Sequence, residues 1–507
     1  MRAGPWSCPS QDAHGCNLGT THCSATSLLS LRGILKYVWV SPSHNPRSGL
    51  REIRGTMKGL DRYGWWLAAG LVAALAAVQC ILFSFGYRLT ADDLEAHYYA
   101  LDTVPAFFAY AEHMARVSGR LGHYLTLPIS MAASYASDYL TARLAFAAVF
   151  FGSYLAFAML LGRLMRMSSL TVPLFIAYLV CCPLLFNHTP PTAYPLQITL
   201  PFLVILLCRI YFVGRENKKA VGVVRLVFLL AVISGSEYTL LFAAGVLLVE
   251  HLIRNAGNLR GLFRSRFMWG DFATMLVVVA IYVAFRVAVP GEYGGNRPDG
   301  IRDLGAVLKI LWLHTWKGTI FAYPGVAALT QSWNLFATAA ALAVLAGAAV
   351  LLGPRSLSPG PRLVIVTSVA LLLACLLVML PPSTNKRLQD WCTLQNACSY
   401  LTSRVAYYFV IPAIFIPIIV HFERSAFALV IATTAFLGFS HNWNASVQMR
   451  LYVQPYKEAV RLACTIEPAN AQTVLDQPQT TVMMHPWMDR ASYWSRLISH
   501  ERSRQGC

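Results

Sequence analysis

Two adjacent carboxylates, Asp92 and Asp93, stand in the run Tyr87-Arg88-Leu89-Thr90-Ala91-Asp92-Asp93-Leu94-Glu95. Crowding and partial burial hold one pKa of such a pair up, which suits it to acid/base work. Its oxygens could also hold a divalent cation. A plainer task fits the same residues: with Thr90 as an N-cap, acids in the first turn of a helix are favoured by the macrodipole. Next comes Ser118-Gly119-Arg120-Leu121-Gly122-His123-Tyr124. Arg120 can fork onto a phosphate or a carboxylate, and the glycines permit close backbone approach; the plain alternative is a turn with an interfacial Arg beside Tyr124.

Glu237 lies within an apolar stretch of about 33 residues, 221–253. At mid-bilayer it would cost about 2.5–3.5 kcal/mol, so it is expected at a hairpin turn, level with Asp92 and Asp93, where it could equally be a Glu that reaches water. Arg404, after Ser403 and before Tyr407-Tyr408, opens another apolar run. It could bind a lipid-linked phosphate or serve as an interfacial anchor. Lys386 and Arg387 add positive charge to the preceding loop, which also holds Cys392 and Cys398, spaced for a small disulfide in an oxidising compartment. Asn444-Ala445-Ser446 matches a glycosylation triplet, and His485-Pro486-Trp487 and Trp494 read as packing or substrate-edge residues.

The elements that must position these groups are membrane spans. The 507 residues are 56% hydrophobic and only 13% charged, with a mean hydropathy of +0.51. Soluble chains carry about 25% charged residues. That deficit excludes an ordinary cytosolic enzyme, a disordered chain and a nucleic-acid reader, despite a net charge of +18. The basic residues punctuate apolar runs of spanning length, the pattern of an all-α polytopic membrane protein. Spans are predicted near 64–85, 139–161, 169–187, 195–213, 272–290, 333–353, 363–381, 404–420 and 425–440. The stretch 221–253, broken at Ser234-Gly235-Ser236-Glu237, adds a short hairpin, making about eleven.

Charge sets the orientation. Lys58, Arg62, Arg163, Arg166, Arg215, Lys218, Lys219, Arg225, Arg254, Arg260, Arg264, Arg266, Arg355, Arg362 and Arg424 fall on one side, which the positive-inside rule makes cytoplasmic. The N-terminus is then inside and the tail outside. Three parts follow: a membrane domain over 57–440, an extracytoplasmic tail over 441–507, and residues 1–56. The last mix Ser, Gly, Pro, Cys, His and Arg without period. They are expected to be disordered, or to lie upstream of a translation start at Met57, which intact-mass measurement would decide. Arg209 and Arg286 sit near span ends and are not expected to form a relay.

No Walker A loop, GxSxG or HExxH occurs, and no Cys/His set has zinc spacing. No metal ligands are assigned. Taken together, the acidic pair outside a first span, the Gly119-Arg120 loop, the mid-chain hairpin with Glu237 and Arg404 at a late span resemble the GT-C superfamily of membrane glycosyltransferases. The bacterial members that take sugar from a polyprenyl-phosphate carrier are the most similar. The resemblance, over about 60–440, implies inverting transfer to an envelope glycan or lipid acceptor on the extracytoplasmic face of the bacterial inner membrane. It implies Asp92 or Asp93 as the base, Arg404 with Arg120 on the donor phosphate, and a divalent cation in some relatives. An O-antigen polymerase or ligase, or a transporter or flippase of lipid-linked sugars, are the alternatives.

Overall fold

The chain divides at Leu60/Asp61 into two units. The computed structural model describes residues 69–87, 91–185, 189–213, 221–235, 237–256, 258–291, 304–323, 360–385, 388–389, 392, 401–421, 424–471 and 490–507, all in the second unit. Among them every regular element is a helix. Five are long and apolar enough to cross a membrane, and four more are apolar but shorter. The expected count of about eleven spans is therefore seen only in part. The segments 1–56 and 333–353 and the residues Lys386, Arg387, Cys398 and His485-Pro486-Trp487 lie outside the described residues.

Helix α1 (Ala69–Phe83) is a short apolar helix. Three helices follow before the next long one: α2 (Ala91–Ala100), α3 (Val104–Ser118) and α4 (His123–Ala136). Pro105 in the first turn of α3 suits a helix start, and Gly119 ends that helix in the left-handed region, φ 62°. Then come α5 (Leu140–Leu164), α6 (Thr171–Cys181) and α7 (Thr199–Phe212). The awkward apolar stretch does break as expected, into α8 (Val221–Ser234) and α9 (Glu237–Arg254).

Helix α10 (Leu259–Arg264) leads to α11 (Arg266–Ala288), whose start is capped by Ser265 accepting from the Met268 amide. The rest are α12 (Leu304–Lys317), α13 (Pro361–Ser383), α14 (Leu401–His421), α15 (Arg424–Tyr452), α16 (Gln454–Leu462) and α17 (Arg490–Gln505). The boundary expected at 440 falls inside α15, which continues twelve residues further. The glycosylation triplet lies within that helix, and Ser446 is fully buried, so it is not offered as a surface loop.

The core joins α1, α5, α6, α7, α9, α13, α14 and α15 around large apolar and aromatic side chains. Tyr154, Tyr178, Tyr407 and Tyr408 sit at its centre. Pro412 has no N–H for the Tyr408 carbonyl four residues before it. The Tyr178 hydroxyl donates to that carbonyl instead, at 2.5 Å, which is how a proline is tolerated where water is absent.

Helix α11 is attached differently. Phe272, Leu276, Val277, Val283 and Val287 are exposed, while Asp271 is buried. Its anchors are polar: the Tyr282 hydroxyl donates to the Gly235 carbonyl at 2.6 Å, and Arg286 Nη1 donates to the Ser118 and Gly119 carbonyls at 2.6 and 2.9 Å. Asp271 binds Arg209 through two bonds, Nη1 to Oδ1 at 3.1 Å and Nη2 to Oδ2 at 2.8 Å. Arg209 Nε also donates to Glu250 Oε2 at 2.7 Å, and His251 Nε2 lies 3.0 Å from Asp271 Oδ2. Arg209 is thus no isolated cation near a span end but the hub of a buried charge cluster. Apolar runs reveal nothing of this, because the partners lie 41 and 62 residues away.

Candidate functional site

The two glycine-bearing motifs meet in space. The turn joining α3 to α4 packs against the break between α8 and α9, so closely that a Cβ on Gly122 would lie 1.9 Å from the Gly235 carbonyl oxygen. Across this contact Arg120 Nε lies 3.0 Å from Glu237 Oε1 and 2.9 Å from Oε2. Both side chains are partly exposed, 22% and 40%, so the pair contributes at most about 1 kcal/mol. Its effect is to fix where the guanidinium sits. Arg286 holds the same turn from behind by its two bonds to the Ser118 and Gly119 carbonyls. Gly119 there has φ +62° and would meet Arg286 Nη1 at 2.6 Å with a Cβ, so backbone and space both call for glycine.

Gly122→Ala is accordingly expected to destabilise the protein by about 1–3 kcal/mol, because two backbones must separate. Gly152→Ala, in α5 with nothing within 4 Å of its added Cβ, is expected to be neutral or stabilising by up to about 1 kcal/mol through helix propensity. Unfolding midpoints of the two variants in detergent micelles check this contrast.

His123 is buried beside that turn, its Nδ1 3.0 Å from Ser118 Oγ. Burial, and then the Arg120 charge, push its pKa down to about 3. An unfolded histidine titrates near 6.5, so below that pH the unfolded state binds a proton that the folded state refuses. Stability is expected to be level above pH 6.5 and to fall as pH drops from 6.5 towards 3. His123→Gln should flatten that acid limb; an unchanged limb in pH-resolved unfolding would assign it to other groups.

The acidic pair occupies the first turn of α2, the place where the macrodipole favours carboxylates. The side chains of Asp92 and Asp93 lie outside the described residues. Their helix packs against α3, α4 and α17. His97, fully buried, lies with Nδ1 3.3 Å from the Tyr493 hydroxyl and Nε2 3.8 Å from Asp138 Oδ1, and Tyr456 donates to the same Asp138 oxygen at 2.6 Å. Arg496 Nη1 donates to Asp102 Oδ2 at 2.6 Å and its guanidinium covers the Tyr98 ring at 3.9 Å. Trp494, Leu497 and Ile498 fill the small core beneath, so Trp494 packs as expected. A Cys464–Cys507 disulfide closes the tail. Neither it nor the His97 network was foreseen, although two cysteines outside every apolar run were a legible signal. Cys392 is also disulfide-bonded.

Arg404 is placed apart from Arg120, at the start of α14 and 2% exposed. After α6 the backbone runs irregularly through Cys182–Leu185. Arg404 Nη2 donates to the Pro183 carbonyl and Nη1 to Cys182 Sγ, the latter at 3.1 Å. Asn442 completes the support, donating from Nδ2 to the Cys182 carbonyl at 2.9 Å and accepting from the Leu184 amide at 2.6 Å. Gln79 joins through its Oε1, 3.0 Å from Asn442 Nδ2. Irregular backbone inside a bundle requires such partners. Arg404 Nε has no hydrogen-bond partner among the described residues. Among those residues no group of three or more His, Cys, Asp or Glu could hold a metal ion.

The chain matches no family model, and no curated protein or solved structure is significantly similar to it.

Proposed function

We propose that the chain is a membrane glycosyltransferase that moves a sugar from a polyprenyl-phosphate donor to an envelope glycan or lipid acceptor. The observation that carries this reading is the meeting of the Gly119-Arg120 turn with Glu237, directly beside the helices on which α2 rests. Of the candidate groups the structure joins Arg120 and Glu237, and α2, whose first turn carries the carboxylate pair, packs on the two helices that this turn connects. In the reaction the acceptor hydroxyl attacks the anomeric carbon while the bond from that carbon to the phosphate oxygen breaks. The hydroxyl proton passes to Asp92 or Asp93, and polyprenyl phosphate leaves. Cations are required where the phosphate charge develops. Arg120 supplies one, and Lys386 and Arg387 are the further cations that the sequence offers. Arg404 has an Nε–H without a partner among the described residues, a donor that a phosphate could take. The disulfide-closed tail suits the oxidising side of a bacterial inner membrane, with the N-terminus cytoplasmic.

The buried Arg209–Glu250–Asp271 cluster favours a second reading, because ionisable groups among apolar helices commonly mark ion or substrate pathways. Proteoliposomes supplied with polyprenyl-phosphate-linked sugars separate the two. Sugar transfer to added acceptor supports the enzyme. Donor crossing the bilayer without transfer would replace it with a transporter or flippase, and transfer of whole preassembled glycans with a polymerase or ligase.

A further inference from the structure

Helix α12 turns the wrong side outward for a helix in water. Val307, Ile310 and His314 are buried, whereas Leu304, Leu308 and Trp312 are 61%, 53% and 61% exposed, and Trp316 continues the row. Positions 304, 308, 312 and 316 are each four apart, which on a helix draws one continuous line. Trp312 and Trp316 stack along it, ring centroids 5.7 Å apart. Fourteen residues make about 21 Å of helix, short of the roughly 30 Å hydrocarbon core, and Lys309 stands exposed in its middle.

Its C-terminal end is tied to the start of α14, itself long and apolar enough to span. His314 Nδ1 lies 3.3 Å from Thr402 Oγ1, and a Cβ on Gly318 would meet the Ser403 carbonyl oxygen at 2.7 Å. The beginning of a span stands at the membrane boundary, and α12 is fastened there. Tryptophan is enriched at that level, where an apolar ring with a polar edge is at home. Lys309 and Lys317 each follow a row position by one residue, along one edge of the row, and long cationic side chains at a boundary reach to the headgroups.

We infer that α12 lies along the membrane interface, with Leu304, Leu308, Trp312 and Trp316 seated in the boundary between headgroups and acyl chains, so that this face docks on the lipid surface. A line of two leucines and two tryptophans edged by lysines matches lipid better than a sugar ring or a polar partner. The inference stands whether or not the chain transfers sugar.

Nitroxide labels at L304C, L308C, W312C and W316C, with K309C and K317C as references, test it in the full-length protein in proteoliposomes. Oxygen and a water-soluble nickel chelate serve as colliders. The expected result is the greatest depth at 308 and 312, the centre of the exposed arc, about 5–10 Å below the headgroup boundary, less depth at 304 and 316, and the shallowest values at 309 and 317. Any of three outcomes overturns it: free access of the nickel chelate to the row, depth rising steadily from 304 to 316, or immobilised labels reached by neither collider, which would mean a protein covers the face. Should labelling displace the helix, the difference in tryptophan fluorescence between wild type and W312F/W316F gives a second readout. Lipids brominated near the headgroup should quench it more than lipids brominated at mid-chain; equal or reversed quenching counts against the inference.

Discussion

One of the variants Asp92→Asn and Asp93→Asn is expected to lose about 10²–10⁴-fold in sugar transfer, the contribution of a positioned general base, while the other keeps most of its activity. The asymmetry comes from the helix. Both residues lie in the first turn of α2, and consecutive helical positions are about 100° apart, so the two cannot approach one acceptor hydroxyl alike. The loss should fall on kcat, since donor binding rests on the cations. Each substitution also removes a first-turn charge worth about 0.3–1 kcal/mol to the helix, so hydrogen exchange over 91–104 should rise slightly in both. Equal transfer by both variants and wild type would leave the pair as helix-terminal acids only.

Arg209→Met is expected to destabilise the protein by about 3–5 kcal/mol, the usual effect of breaking a buried ion pair by removing one partner. The guanidinium bonds two carboxylates on different helices, Glu250 of α9 and Asp271 of α11. Rings of Phe212, Phe228 and Phe267 surround it at 5.0–5.7 Å, so water does not readily replace it. Without it Glu250 keeps Arg254 and Asp271 keeps His251, which limits the damage without removing it. The effect should be local first: α11 presents much of its apolar surface outward, so amide exchange should rise over 266–288 before α5 or α7 responds. Arg209→Lys should fall between, one ammonium being unable to reproduce three directed bonds. An unfolding midpoint equal to wild type in Arg209→Met would show that the cluster is hydrated.

Apolar run length located α5, α13 and α14 to within about three residues and α11 to within about six, and the polar tetrad at Ser234–Glu237 correctly marked a break. Length alone failed where polar side chains are buried inside the bundle. Helix α15 continues past His441 because Asn442 faces the irregular 182–185 backbone rather than water, and a hydropathy window reads the same residue as the start of a tail. Arg209 does lie in the last turn of α7, but its partners are distant in sequence and each alone resembles a charge at a span end, so the cluster is not legible. Arg120 and Glu237 were each singled out by type, but their pairing depends on how a glycine turn nests into a helix break, which only tertiary packing decides. Arg404 sits at its expected helix start, yet its burial and its hold on Pro183 were not legible.

The union of α2 with α17 sets a constraint on synthesis. His97 and Tyr493 are 396 residues apart. At about 5–20 residues per second, roughly 20–80 s pass between their emergence. For that interval the helix carrying the acidic pair has no C-terminal partner, and Leu94, Leu101 and Tyr98 face no tail. The small core that joins α2 to the tail is therefore a late product of biogenesis, finished after the apolar helices have been made. A nascent chain arrested before residue 490 would carry its acidic helix exposed to proteases and chaperones.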